Sequence, residues 1–167
     1  MNVRRANISD MHQILAIYDR ARAYMKTNSN PSQWGDVYPP QELVERDVLE
    51  GNLYVIEQKN SFSEPQKLLG VFVFLPDGDP IYNNIVGKWL NDFPHAAIHR
   101  VASSGEGKGI LSCAVNFCLS VSKNLKIDTH PDNIPMQNAL SKLGFVNCGR
   151  ILLENGELHL TFQRCDA

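Results

Sequence analysis

Apolar residues at Met11, Ile14, Leu15, Ile17, Tyr18, Ala21 and Met25 recur every three or four positions, the period of a helix that buries one face. Ser9 or Asp10, just ahead of them, offers a side-chain oxygen to the orphan amides of a first turn. Residues 3–6 before this helix read as a short strand. A loop over 28–40, rich in turn formers, leads to a second, shorter helix over 40–50, with Pro40 in its first turn and Gly51 at its end. The β-rich runs 53–58 and 68–75 then form an antiparallel pair across the polar stretch 59–67.

Residues 76–94 are irregular, with a helical turn expected around 85–90. A strand over 96–102 runs directly into Ser103-Ser104-Gly105-Glu106-Gly107-Lys108-Gly109-Ile110. From Gly107 or Lys108 to about residue 123, Ile110, Leu111, Ala114, Val115, Cys118 and Leu119 fall on one helical face. A short buried strand over 125–128 precedes a helix over 131–143, which Gly144 closes as the expected left-handed stop. Strands over 145–148 and 158–164 finish the chain around Glu154-Asn155-Gly156. The order β-α-α-β-β-β-α-β-α-β-β describes a mixed α/β layer fold, neither a doubly wound sheet nor a bundle. No repeat or linker divides it.

Composition narrows the function more than the fold. A length of 167 residues suits one domain, 1–167. A net charge of −2 supplies no positive field for nucleic acid or an anionic membrane. No apolar run reaches the roughly 20 residues of a membrane span, and no apolar segment follows Arg4 and Arg5 as in a secretory signal. Cys113, Cys118, Cys148 and Cys165 form no CxxC pair. The expected roles are core packing rather than metal binding or disulfides, in a reducing cytoplasm.

The glycine-rich junction after the 96–102 strand carries the most chemistry. Three glycines in five residues let backbone amides approach a ligand, and the helix that follows points its unpaired N–H groups and positive dipole end at the same place. This is chemistry for a phosphate or pyrophosphate. A Walker A loop is excluded, because Gly109 follows Lys108 where Ser or Thr is required and Ala102 stands where the first glycine belongs. A dinucleotide fingerprint is excluded too, because Ile110 replaces its third glycine and no βαβ repeat follows. A glycine-rich turn without a ligand stays open on these residues alone.

Glu106-Gly107-Lys108-Gly109-Ile110-Leu111, Ile127-Asp128-Thr129-His130, Asn133 and Lys142-Leu143-Gly144-Phe145, together with the opening Val3-Arg4-Arg5-Ala6 strand, resemble the GNAT superfamily of N-acetyltransferases over nearly the whole chain. The resemblance implies an α/β fold with a mixed sheet of six or seven strands and about four helices. It implies acetyl-CoA as co-substrate and no metal. The coenzyme A thioester and a small amine or amino-acid-like acceptor would be the partners, with room for a homodimer. Pyrophosphate would bind the amides from Gly105 through Glu106, Gly107, Lys108, Gly109 and Ile110 to Leu111, beside Ser103. Pantetheine would pair with the strand from His99 to Ala102, touching Val101, and Asn133 would reach the cofactor. Glu106 stands where the family has Gln or Arg, Leu111 where it has Gly or Ala, and Leu140 where many members have an acidic Tyr.

Transfer to an amine by direct attack needs a base for the ammonium proton and a donor for the nascent oxyanion. His99 suits the first role, and the backbone N–H of Val101 or Ala102 the second; a packed structural histidine is the alternative for His99. Asp128 and His130 are acceptor-site candidates or turn chemistry before Pro131. Trp34 and Tyr38 are candidates for the acceptor wall or anchors of their loop. Arg100 is expected in a structural ion pair. Cys113 and Cys118 lie inside a helix pattern without a neighbouring His and are poor nucleophiles. A non-catalytic acyl-CoA sensor remains the rival to the enzyme.

Overall fold

The computed structural model describes residues 1–58 and 66–166; most of the expected 59–67 connection falls outside them. In chain order the elements are β1 (Asn2–Arg5), α1 (Met11–Thr27), α2 (Gln41–Leu49), β2 (Leu53–Glu57), β3 (Leu68–Leu75), β4 (Val86–Gly87) and β5 (Ala96–Ser103). Then follow α3 (Ile110–Val121), β6 (Asn124–Thr129), α4 (Ile134–Lys142), β7 (Val146–Leu152) and β8 (Leu158–Cys165). The chain groups into two compact units, Met1–Phe74 with Arg100–Phe117, and Leu75–His99 with Cys118–Ala167.

In the first unit the strand order is β1-β2-β3-β5. β1 runs antiparallel to β2 from Asn2↔Glu57 to Arg5↔Tyr54, and β2 antiparallel to β3. Leu53, Tyr54, Val55 and Ile56 are all buried, as are Leu68 to Phe74. Such unbroken apolar runs belong to strands covered on both faces. Tyr54, Phe72, Phe74 and Phe117 meet with ring centroids 5.0 to 6.3 Å apart. α1 buries Ile14, Ile17, Tyr18 and Ala21, the stripe its periodicity predicts. Gln13 fastens the helix to the start of β3, donating to Gln66 O at 3.0 Å and accepting from Leu68 N at 3.0 Å.

The cap of this helical region differs from expectation. Asn7, not Ser9 or Asp10, opens a single 3-10 turn over Ile8–Asp10 ahead of α1. Asp10 reaches back to Asn7 N at 2.9 Å, and Arg4 clamps its two oxygens at 2.8 and 3.0 Å. An extra turn thus precedes the amphipathic run, because the reciprocal capping box satisfies two orphan amides three residues earlier.

The second unit has the order β5-β6-β8-β7-β4. β5 and β6 pair in parallel at Ala96↔Leu125 and Ala97↔Lys126; β6–β8, β8–β7 and β7–β4 are antiparallel. The sheet therefore has eight strands rather than six or seven. The added one, β4, is two residues long and shows no alternation that a sequence pattern could reveal. The helical turn expected at 85–90 instead spans Pro80–Asn84, where Asp79 caps it through Ile81 N at 3.0 Å and Pro80 fixes its first position.

Residues 82–94 are shaped by the sheet face beneath them. Asn124, Lys126 and Asp128 alternate along β6 opposite Cys165, Gln163 and Thr161 of β8, so all six share one face. Tyr82 donates to Asp128 Oδ1 at 2.7 Å, and Gln163 Oε1 accepts from Leu90 N at 2.7 Å. Lys126 Nζ sits 4.0 Å from the Trp89 ring centroid, and Asn124 Nδ2 donates to Asn91, Phe93 and Pro94. A segment with little regular structure thus finds partners in the side chains of two strands, which hold it over this face.

Candidate active site

In the first unit β5 ends at Ser103, and the glycine segment turns the chain into α3. Gly105 and Gly109 adopt φ of 80° and 75°, left-handed values that side chains resist. Gly109 breaks the helical path, so α3 starts at Ile110 rather than at Gly107 or Lys108. Its first turn therefore presents the amides of Ile110 and Leu111 without intrahelical partners. Ser103 Oγ accepts from Gly105 N at 3.0 Å, and Ser104 Oγ from Glu106 N at 3.3 Å. These two amides belong to the turn, which leaves the later part of the segment to face a ligand. A Cβ on Gly109 would meet nothing within 4 Å, whereas one on Gly105 would strike the Arg20 guanidinium. A cavity of about 250 Å³ opens beside the segment, lined by Arg20, Lys67, Ser104 and Glu106 among others.

Three residues earlier β5 carries a left-handed non-glycine residue, Arg100, with φ 49°. Such a conformation costs on the order of 1–3 kcal/mol and persists where its surroundings fix it. Here Tyr18 Oη donates to Arg100 O at 3.2 Å, and the guanidinium donates to Asp47 Oδ2 at 2.7 Å and to Tyr38 Oη at 3.3 Å. The expected structural ion pair of Arg100 is this one. It re-aims the backbone of β5 just before Val101 and Ala102. Trp34 is buried, edge-on to Tyr18 at 5.7 Å and 6.2 Å from Tyr38; both loop aromatics hold this corner of the first unit.

The second unit gathers a different set of groups. Asp128 receives Tyr82 Oη on one oxygen and His159 Nδ1 on the other, each at 2.7 Å. His99 Nδ1 lies 3.7 Å from Asp128 Oδ1, its Nε2 lies 3.0 Å from Asp79 Oδ2, and its ring stacks on Tyr82 at 5.8 Å. Burial pushes the Asp128 carboxyl up. The His159 hydrogen bond, the charges of His99 and His159 and the Tyr82 hydrogen bond outweigh it and hold the group below the usual carboxylate range. Burial, the Asp128 charge and the shared hydrogen bond keep the Tyr82 phenol well above its ordinary value. His130 meets His159 edge-on at 5.7 Å and accepts from Asp132 N at 3.1 Å through Nδ1. The structure thus brings together His99, Asp128 and His130. Asn133 caps α4, its side-chain oxygen accepting from Met136 N at 3.2 Å, so α4 begins at Ile134 and not at 131.

Comparison with solved structures decides what carries this geometry. A GNAT-family acetyltransferase of Streptococcus agalactiae is 25% identical with a TM-score of 0.85, over 99% of this chain and 95% of that one. The fold is that of GNAT-family acetyltransferases. A GNAT-family acetyltransferase of Listeria monocytogenes matches at 18% identity and TM-score 0.68, over 99% and 94% of the two chains. Arabidopsis thaliana NAA60, solved in complex with acetyl-CoA, matches at 13% and 0.62, over 98% and 97%. No family model and no curated protein matches the sequence.

Two departures of this chain from the GNAT motifs it resembles now have a setting. Glu106 pairs with Lys67 of the first unit, so its charge has a partner. Leu140, in place of the family's frequent Tyr, is fully buried core and has no proton to give. Burial raises the Cys113 and Cys118 thiols, which disfavours the thiolate a nucleophile needs.

Tyr82, His159, Asp79 and Glu157 were not anticipated. The signal for His159 was the alternation of His159, Thr161 and Gln163 along β8, which reads as a solvated face until a segment is known to cover it. Among the described residues no helix is long and apolar enough to cross a membrane, and no group of three or more His, Cys, Asp or Glu could hold a metal ion.

Proposed function

We propose that this chain transfers the acetyl group of acetyl-CoA to the amine of a small acceptor by direct attack within a ternary complex. The observation that carries this reading is the glycine segment 105–109, with its left-handed Gly109 releasing the first-turn amides of α3, in a fold shared with an acetyl-CoA complex. Those amides from Gly107 to Leu111 would hold the pyrophosphate, with Lys108 adding charge and Ser103 and Asn133 alongside. The N–H of Val101 or Ala102, beyond the Arg100 kink, would donate to the thioester carbonyl as it becomes an oxyanion. His99 would take one proton from the acceptor ammonium. The free amine then bonds to the carbonyl carbon, the C–S bond breaks, and the proton that the acylated nitrogen sheds passes through water to the thiolate. Asp79 and Asp128 support His99 in this role, since flanking carboxylates stabilise the imidazolium that forms. In the same reading His130 would face the acceptor.

Thermal unfolding with and without acetyl-CoA, with ATP and NAD as controls, tests the cofactor. Ligand at about 100 times its dissociation constant adds about 2.7 kcal/mol, a rise of about 5–10 °C at this size. The rise should occur with acetyl-CoA alone and vanish in Gly109→Val; no rise at millimolar acetyl-CoA rejects the reading. A second reading, a sensor that binds acyl-CoA without turnover, is favoured by Leu140. It predicts the same thermal rise but no thiol release across a broad amine panel.

A further inference from the structure

The cavity of about 250 Å³ beside the glycine segment lies wholly within the first unit, and one side of α1 forms a wall of it. Gln13, Ala16, Ile17 and Arg20 are spaced by three and four, so they stack along that side of the helix. Gln13 closes one end, where its amide holds Gln66 O and Leu68 N. Ala16 is small enough to leave room in the middle. Arg20 stands at the other end, its guanidinium so close over Gly105 that a Cβ there would collide with Nη2, Nε and Cζ. The two other charged groups lining the cavity cancel, since Lys67 pairs with Glu106. Arg20 is exposed and has neither an ion pair nor a hydrogen bond among the described residues. The first-turn amides of α3 are donors as well, and the helix dipole adds positive potential to the same segment. An anion with several oxygens answers all of them.

Building on the cofactor part of the transferase reading above, we propose that Arg20 is a phosphate-binding residue of the acetyl-CoA site, its guanidinium and the α3 amides holding the pyrophosphate between them. Glu106 puts a carboxylate on the segment that would meet this group, and like charges repel. Lys67 offsets that carboxylate, and Arg20, reaching over from α1, supplies the positive charge that the pair does not. A guanidinium presents paired N–H groups that match two phosphate oxygens, which a lone ammonium does not. Gly105 is then required twice over, by its left-handed backbone and by the space the guanidinium occupies.

The test is calorimetric titration of the full chain with acetyl-CoA and with acetyl-dephospho-CoA, which lacks only the ribose 3′-phosphate. Arg20→Met should weaken both by at least about tenfold and make their binding less sensitive to added salt. Arg20→Lys should recover part of the loss. Lys26→Met, which removes the same charge further along α1 from a residue that pairs with Asp36, should change neither affinity nor salt response. All three variants should unfold at the wild-type temperature without ligand, which separates a lost contact from a lost fold. Unchanged affinity in Arg20→Met, or a loss with unaltered salt dependence, overturns the proposal. A loss confined to acetyl-CoA would put Arg20 on the ribose phosphate and overturn the pyrophosphate assignment. Acetyl-CoA binding that is indifferent to Arg20 keeps the transferase reading and rejects this one. If wild type binds neither thioester at millimolar concentration, the transferase reading fails; binding of inorganic pyrophosphate that Arg20→Met abolishes would then uphold the anion site by itself, and no such binding would reject both.

Discussion

Asp47 in the first unit and Asp128 in the second are both largely buried carboxylates, yet their surroundings push them in opposite directions. Burial raises Asp47 more than the charge and hydrogen bond of Arg100 lower it. Asp128 is drawn below the usual range although burial opposes this too. The difference lies in the donors. Arg100 reaches one Asp47 oxygen at 2.7 Å, whereas His159 and Tyr82 each take one oxygen of Asp128 at 2.7 Å. Bonds made to both ends of a carboxylate favour its charged form more than a single neighbour does. Burial likewise pulls the Arg100 guanidinium down, and Tyr38, Asp47 and Tyr18 more than restore it. The first carboxylate therefore serves as a lock on a strained backbone, while the second is kept ionised by hydrogen bonds to both of its oxygens.

The largest effect expected is on the lock. Arg100→Met leaves Asp47 buried without its partner and should cost about 3–5 kcal/mol in urea unfolding. Adding Asp47→Leu should return most of that stability, and a double variant as weak as the single one would assign the loss to the backbone instead. Asp128→Asn should cost about 2–3 kcal/mol, since an amide cannot accept on both sides. It should also abolish thiol release with any amine that wild type acetylates; a stable, fully active Asn variant would end the comparison. Tyr82→Phe removes one of the two donors and should cost about 1.5 kcal/mol by the same measurement.

The smallest effect is the acid limb of stability. Asp128, held below its unfolded value of about 3.9, stabilises the fold above that pH, and this share is lost as pH falls through its lower folded value. Asp47 behaves inversely, because its raised folded value imposes a penalty that lifts as pH falls. Asp128→Asn should flatten the loss of stability below about pH 4, and Asp47→Asn should steepen it. Equal acid limbs in the two variants would show that the carboxylates are not distinct.

Where adjacent residues decide the outcome, the sequence was enough. The α1 stripe, the β2 and β3 runs, the Gly144 stop and the junction from β5 through Gly105-Glu106-Gly107-Lys108-Gly109 into α3 depend on periodicity and local backbone freedom, which neighbours in the chain encode. The proposed cofactor reading likewise draws on groups that lie within a few consecutive positions. The Asn7 capping box was encoded locally as well, but Ser9 and Asp10 competed with it as equally good caps, and the reciprocal bond of Asp10 to Asn7 N chose between them. Only the tertiary structure made β4, paired Tyr82 with Asp128 across 46 residues and set His159 against it across 31. The alternating Asn124, Lys126 and Asp128 on β6 and His159, Thr161 and Gln163 on β8 look like a face turned to water. Their burial under residues 82–94 is a long-range packing event, and burial is what turns an ordinary aspartate and histidine into a fixed, hydrogen-bonded pair.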